Sequence, residues 1–217
     1  MNRIQGPVEP GAIEKESFAI IDSEVPEPRP FSGNEWLIVR RMIHTSADFE
    51  MLSLVKFHRD AVREGIQALL GGCLIITDTE MARMGITSRR MESLGCSVKC
   101  FMNEKKVIER AKKEGITRAA AAVNHGLSML NGSIFVVGNA PTALINLLRN
   151  LRKGTYRPAL IVGMPVGFVN AAESKDLLME QEKIPFITIK GRKGGSPLAA
   201  TVVNQLAEIA LEQKGQG

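Results

Sequence analysis

A parallel β-sheet covered by helices on both faces is the fold this sequence predicts, and three observations predict it. Five short apolar runs, at 73–77 (CLIIT), 97–102 (SVKCFM), 133–138 (SIFVVG), 159–163 (ALIVG) and 186–190 (FITIK), have the length and β-branched content of strands. Their hydrophobicity is nearly continuous, which suits strands buried on both faces. Helical stretches stand between them, and that alternation builds a parallel sheet with right-handed crossovers.

In chain order, helices are expected at 11–21, 33–46 and 54–70 before the first strand. Helices at 80–94, at 105–114 with 117–130, at 141–151 and at 171–182 then connect successive strands, and 197–212 closes the chain. Pro141 suits a first-turn position, because its missing N–H has no partner there in any case. The segments expected to be disordered or flexible are 1–10, the Pro-rich 23–31 (SEVPEPRPF) and the tail at 213–217. The whole of 1–217 is expected to form one domain, since 217 residues at 44% hydrophobic match one ordinary α/β core.

No signal peptide is recognisable at the start, where the residues are polar and acidic, and no apolar run is long enough to span a membrane. A cytoplasmic location is expected. The odd count of three cysteines, Cys73, Cys96 and Cys100, supplies neither a disulfide framework nor a four-ligand zinc site. The formal charge of +5 favours an acidic partner. Scattered basic residues, with one Tyr and one Trp to stack on bases, argue against nucleic acid and toward a polyanionic small molecule.

Ligands of open parallel sheets bind beyond the carboxyl ends of the strands. Four loops fall there: 77–81 (TDTEM), 138–143 (GNAPTA), 163–175 (GMPVGFVNAAESK) and 190–196 (KGRKGGS). Free N–H groups at helix starts attract carboxylates, so these loops are candidate walls of an anion pocket; plain turn chemistry explains each one equally well. Neither a G-x-G-x-x-G nor a G-x4-GK[ST] motif is present.

The three histidines can be weighed singly as proton-transfer groups. His58 and His125 sit in contexts that favour surface or packing roles. On a helix through 34–44, Trp36, Ile38, Val39, Met42 and Ile43 take most of the circumference and leave a narrow stripe of Arg40, Arg41 and His44. That stripe faces either solvent or a polar cavity. Arg41 and His44, three residues apart, point the same way, and a guanidinium there disfavours the imidazolium unless an anion lies between them. A ligand carboxylate would supply one.

The sequence resembles the precorrin-8X methylmutase family, whose anaerobic-pathway counterparts act on the cobalt form. The resemblance runs nearly end to end. It rests on I-x-x-x-SFAII at 13–21, R-M-I-H at 41–44, D-x-EM-x-x-x-GIT at 78–87 and TRAAAA at 117–122. It continues through GNAPTAL at 138–144, GMPVGFVNAAESK at 163–175 and GRKGGSPLAA at 191–200. The resemblance implies a flavodoxin-like three-layer fold, with a five-stranded parallel sheet in the order 2-1-3-4-5 and additional N-terminal helices. It implies a homodimer without metal or organic cofactor, and migration of a methyl group from C11 to C12 of a polycarboxylated tetrapyrrole on the route to vitamin B12. The histidine of its R-M-x-H motif, here His44, is implied as proton donor and acceptor. Ser17, Arg41, Arg118, Thr87 and Arg192 match positions implied to contact substrate. Two other readings stay open: a non-catalytic corrinoid carrier, which has no need of His44, and a flavin or nucleotide binder by analogy of fold alone.

Overall fold

The computed structural model describes residues 11–215, so the expectations for 1–10 and 216–217 lie outside the described residues. One sheet runs, in spatial order, through β1 (Val55–Phe57), β6 (Phe186–Ile189), β5 (Leu160–Gly163), β4 (Ile134–Val137), β2 (Leu74–Thr77) and β3 (Ser97–Cys100). The last five strands are mutually parallel, and numbered among themselves they follow the order 2-1-3-4-5. β4 and β5 are apolar and buried at every position because both faces are covered, and β6 is buried throughout with Thr188 among its apolar residues. The edge strand β3, expected to be buried on both faces, instead alternates exposed Ser97 and Lys99 with half-buried Val98 and Cys100. Ile75, Ile134, Val136, Leu160, Val162 and Ile187 point to one side, whereas Ile76, Phe135, Val137, Ile161 and Phe186 point to the other. Each such side chain contributes about 1.5–3 kcal/mol on burial.

The expected strand count of five is corrected to six. β1 lies antiparallel on the edge, with Val55 opposite Ile189 and Phe57 opposite Ile187. It falls within 54–70, which periodicity reads as one helix. The strand is only Val-Lys-Phe, buried, exposed and half-buried in turn, and it runs into the strongly amphipathic helix α4 (Ala61–Leu70), whose 3.6-residue repeat dominates any longer window.

Two further helices are interrupted. The 80–94 stretch is α5 (Glu80–Gly85) and α6 (Ser88–Leu94), separated where Ile86 turns extended and the Thr87 N–H donates to Asn204 Oδ1 at 2.9 Å. A tertiary bond has replaced a helical one. The 117–130 stretch is α8 (Arg118–Gly126) followed by a 3₁₀ turn, Leu127–Met129. The Pro-rich 23–31 segment is ordered, contrary to expectation. Asp22, just before it, accepts bonds from Arg29, Arg40 and the Trp36 indole, and the Arg29 guanidinium lies 4.8 Å over the Trp36 ring. These tie α1 (Ala12–Glu24) to α2 (Gly33–Ser46), which a short α3 (Met51–Leu54) joins to β1.

Helices α1, α2, α4, α5 and α6 gather on one side around the long α11 (Ser196–Gly215), which continues through residues 213–215. The opposite side carries α7 (Lys105–Glu114), α8, α9 (Pro141–Leu151) and α10 (Ala171–Met179). Pro141 occupies the first turn of α9, as expected. The start of α11 is pressed against the end of β4, where a Cβ on Gly138 would lie 2.7 Å from Ser196 Cα, so only glycine permits that approach.

Candidate active site

The stripe on α2 faces a polar cavity. Its five apolar residues are buried, Arg41 is half-buried and His44 is exposed. Opposite, α11 presents Thr201, Asn204, Gln205 and Glu208, and these enclose with Arg41, His44, Thr45 and Arg90 a cleft of about 220 Å³. The His44 imidazole packs on Phe18 with ring centroids 5.2 Å apart and planes tilted by 58°. Arg40 and Arg41 place their guanidiniums 4.4 and 4.7 Å from the same Phe18 ring. Ser17, beside Phe18, donates its hydroxyl to the Ile13 carbonyl one turn back.

The anion that Arg41 requires is supplied by the protein. Arg41 Nε donates to Gln205 Oε1 at 2.8 Å, one terminal nitrogen reaches Glu208 Oε2 at 3.2 Å and the other pairs with Glu14. Arg90 reaches the same Glu208 oxygen at 3.0 Å. No hydrogen bond from the described residues occupies the His44 ring nitrogens, and the imidazole is open to solvent. Thr87 is exposed at the rim, its backbone held by Asn204, whose amide also donates to the Gly85 carbonyl at 2.8 Å. His44, Arg41, Ser17 and Thr87 thus assemble on one side of the sheet.

Arg118 and Arg192 do not touch that cleft; they stand on other elements of the carboxyl edge. Arg118 opens α8, whose capping residue Thr117 donates to Thr142 Oγ1 on the first turn of α9. Arg192 follows β6 and lies 5.4 Å over the Phe168 ring, on the loop after β5. Among the described residues, neither arginine enters an ion pair, whereas Arg40, Arg41, Arg83 and Arg90 all do. Both guanidiniums therefore stand at the carboxyl edge without an internal carboxylate among the described residues.

The loops at this edge are less available than expected. Asp78 is buried and accepts the N–H groups of Gly138 at 2.7 Å, Asn139 at 2.9 Å and Ala140 at 2.7 Å. The anion site at the start of α9 is thereby filled from within. Burial pushes the Asp78 carboxyl up, and the three N–H bonds oppose that shift. Thr79 caps α5 through the Ala82 N–H at 3.1 Å and meets Ser196 Oγ at 2.9 Å.

Lys175 is wholly buried in α10 and donates to the Lys193 carbonyl at 2.6 Å; burial pulls its ammonium down to about 8. Lys193 itself pairs with Asp48 and with Glu50 at 2.8 Å. Arg192 is thus carried on a loop anchored from both sides.

The remaining histidines are structural. His58 Nδ1 accepts the Asp60 N–H at 3.2 Å, so Nε2 carries the proton and donates to the Glu182 carbonyl at 3.1 Å. Phe186 packs against it, which makes it half-buried and not the surface residue expected. His125 pairs with Glu104 at 3.0 Å and packs on Phe101. Among the described residues no three of His, Cys, Asp and Glu converge as a metal site requires. A larger cavity of about 720 Å³ lies at the amino edge beside His58 and Arg157, away from His44, Arg41, Ser17, Thr87, Arg118 and Arg192.

Sequence reasoning missed Arg90, Asn204, Gln205 and Glu208. The last three follow Thr201 by three, four and seven residues on a largely apolar helix. That polar stripe was the available signal, and it required knowing that α11 lies against α2.

A family model described as precorrin-8X methylmutase matches residues 12–209. The chain is 43% identical over 208 residues to a cobalt-precorrin-8 methylmutase of Leptospira interrogans, covering 93% of this chain and 94% of that one. It is 42% identical over 201 residues to a precorrin-8X methylmutase of a Sinorhizobium species, covering 92% and 95%. A solved precorrin-8X methylmutase from Thermus thermophilus superimposes with a TM-score of 0.87 at 44% identity, covering 93% of this chain and 97% of that one.

Proposed function

The chain belongs to the precorrin-8X methylmutase family, and from that premise we propose that His44 is the acid–base residue with which it moves a methyl group round a corrin precursor. The chain is an isomerase of cobalamin biosynthesis. Its reaction is the transfer of a methyl from C11 to C12 of precorrin-8X, giving hydrogenobyrinate, or of the cobalt-containing form, giving cobyrinate.

The observation that carries the reading is the exposed His44 imidazole at the mouth of a cleft walled by two paired arginines. Protonation of the macrocycle by His44 withdraws electrons from its conjugated system and eases migration; return of the proton releases the product tautomer. Packing on Phe18 limits the swing of the ring. Acid–base help of this kind is worth about 10² to 10⁴ in rate, and the rest comes from holding the macrocycle in a reactive conformation.

The unpaired Arg118 and Arg192, together with Ser17 and Thr87, are the contacts proposed for the macrocycle's carboxylates and rim. A cleft of about 220 Å³ admits only the edge of such a ring, since pockets that enclose even drug-sized ligands run to about 300–1,000 Å³. A second surface is needed to cover the remainder, and a second copy of this chain is the proposed source. Exposed apolar side chains at the carboxyl edge support that: Phe168 at 82%, Val169 at 76%, Met84 at 72% and Met81 at 69%. No described helix is long and apolar enough to cross a membrane; a cytoplasmic location is part of the proposal, consistent with a biosynthetic enzyme.

The test mixes the purified protein with precorrin-8X and separately with cobalt-precorrin-8, and follows the visible spectrum with His44→Ala in parallel. Conversion that is lost in the variant supports the assignment. Binding without conversion by the wild type would leave the carrier reading, and undiminished turnover by the variant would remove His44 from the chemistry.

A further inference from the structure

Two of the three cysteines stand level with each other where β2 and β3 begin. The strands pair in parallel with Leu74 opposite Ser97, Ile75 opposite Val98 and Thr77 opposite Cys100. Cys73 and Cys96 immediately precede this register, and the ladder extends to them, since the Ser97 N–H donates to the Cys73 carbonyl at 3.4 Å. Side chains two apart on a strand share a face. Cys73 therefore points with Ile75, and Cys96 with Val98, into one cluster.

The Cys96 thiol donates to the Leu69 carbonyl at 3.3 Å. The nearness of Cys96, with burial, pushes Cys73 up, and the nearness of Cys73 holds Cys96 below the usual thiol range. Adjacent strands run about 4.8 Å apart, within the Cα separation of about 4.4–6.8 Å that a disulfide spans. Each cysteine also follows a left-handed glycine, Gly72 at φ 71° and Gly95 at φ 72°, so both strand starts can adjust without side-chain strain.

We propose that Cys73 and Cys96 form a peroxide-oxidisable pair that closes to a reversible disulfide between β2 and β3. A cleft of about 230 Å³, lined by Arg83, Met91 and Cys96 among others, gives a small oxidant its route. Hydrogen peroxide converts the Cys96 thiol to a sulfenic acid with release of one water. The Cys73 sulfur then attacks the Cys96 sulfur, the S–O bond breaks, and a second water leaves carrying the Cys73 proton. The same register excludes the other pairings. Cys100 faces Thr77, and a displacement of four residues along a strand is about 13 Å. The segment closed by the disulfide carries Arg90, which lines the His44 cleft, and Thr87, whose backbone bonds to Asn204 of that cleft, so oxidation tethers this side of it.

The test exposes the folded full chain to hydrogen peroxide, blocks remaining thiols with iodoacetamide, digests, and maps the peptides by mass spectrometry. The expected product links Cys73 to Cys96 within one chain, leaves Cys100 alkylated, and returns to three alkylated cysteines after dithiothreitol. In Cys73→Ser the linkage is lost and Cys96 is trapped as a sulfenic acid by dimedone. Full alkylation of Cys73 and Cys96 after peroxide, or a linkage that uses Cys100, overturns the proposal. Should Cys73→Ser fail to fold, the wild-type map alone decides.

Discussion

Arg41 and Glu208 are joined at 3.2 Å across the α2–α11 cleft, and Arg90 approaches the same carboxylate oxygen at 3.0 Å from α6. One glutamate therefore bridges two guanidiniums beside the proposed acid–base histidine, and Glu14 on Arg41 completes the charge balance. Glu208→Gln keeps the shape and removes that balance. Glu14 still pairs with Arg41, so one unit of positive charge is left uncompensated, which attracts a polyanionic macrocycle while disfavouring the imidazolium form of His44. Steady-state assays on the corrin precursor should show KM falling severalfold together with kcat. An unchanged pair of constants would mean that Glu208 only holds the helices together.

Arg41→Ala should act in the opposite direction. Its removal leaves Glu14 and Glu208 without one of their cations in the cleft, so substrate carboxylates meet net negative charge. KM is expected to rise about tenfold, equivalent to about 1.4 kcal/mol, and more at low than at high salt because screening weakens the repulsion. A KM that does not respond to salt would assign Arg41 to helix packing alone.

Asp78→Ala tests the internal strut at the carboxyl edge. The substitution leaves the N–H groups of Gly138, Asn139 and Ala140 without their acceptor. A buried donor so orphaned, as at Gly138, costs about 1–3 kcal/mol, and less at the exposed Asn139 and half-buried Ala140, where water enters. A loss of about 3 kcal/mol or more in urea unfolding is expected, with faster amide exchange at those residues. A loss under about 1 kcal/mol would show that water replaces the carboxylate.

β2, β4, β5 and β6 were legible because a strand buried on both faces leaves a nearly uninterrupted apolar run, as at Ile134–Val137; β3, at the sheet's edge, carries only the half-buried Val98 and Cys100 between exposed Ser97 and Lys99. β1 was not legible, since three residues carry too little pattern against the helix that follows. The break between α5 and α6 was equally hidden, because it depends on Asn204, more than a hundred residues away in sequence. For the site, periodicity found the stripe with Arg41 and His44 but could not say whether it faced solvent. That depended on α11 presenting Gln205 and Glu208, a tertiary fact. Burial of Lys175 could not be read at all from its place in a polar-looking AAESK run.

Lys175 gives the last prediction, one of pH dependence. Burial lowers its ammonium from the usual 10.5 to about 8. Below pH 8 both folded and unfolded chains carry the proton, and the folded state bears the full cost of a buried charge. A shift of about 2.5 units corresponds to about 3 kcal/mol. Between pH 8 and 10.5 the unfolded chain still holds the proton and the folded chain does not, so this residue's contribution to stability rises with pH across that window. Lys175→Met removes the charge and, independently of pH, the bond to the Lys193 carbonyl. The stability of the variant minus that of the wild type should therefore be most positive near pH 7 and decline by about 3 kcal/mol toward pH 10.5. All other titrating groups are common to the two proteins and cancel. Urea unfolding of both at intervals from pH 7 to 10.5 measures the difference, and a flat profile would mean that Lys175 keeps its ordinary proton affinity inside the fold.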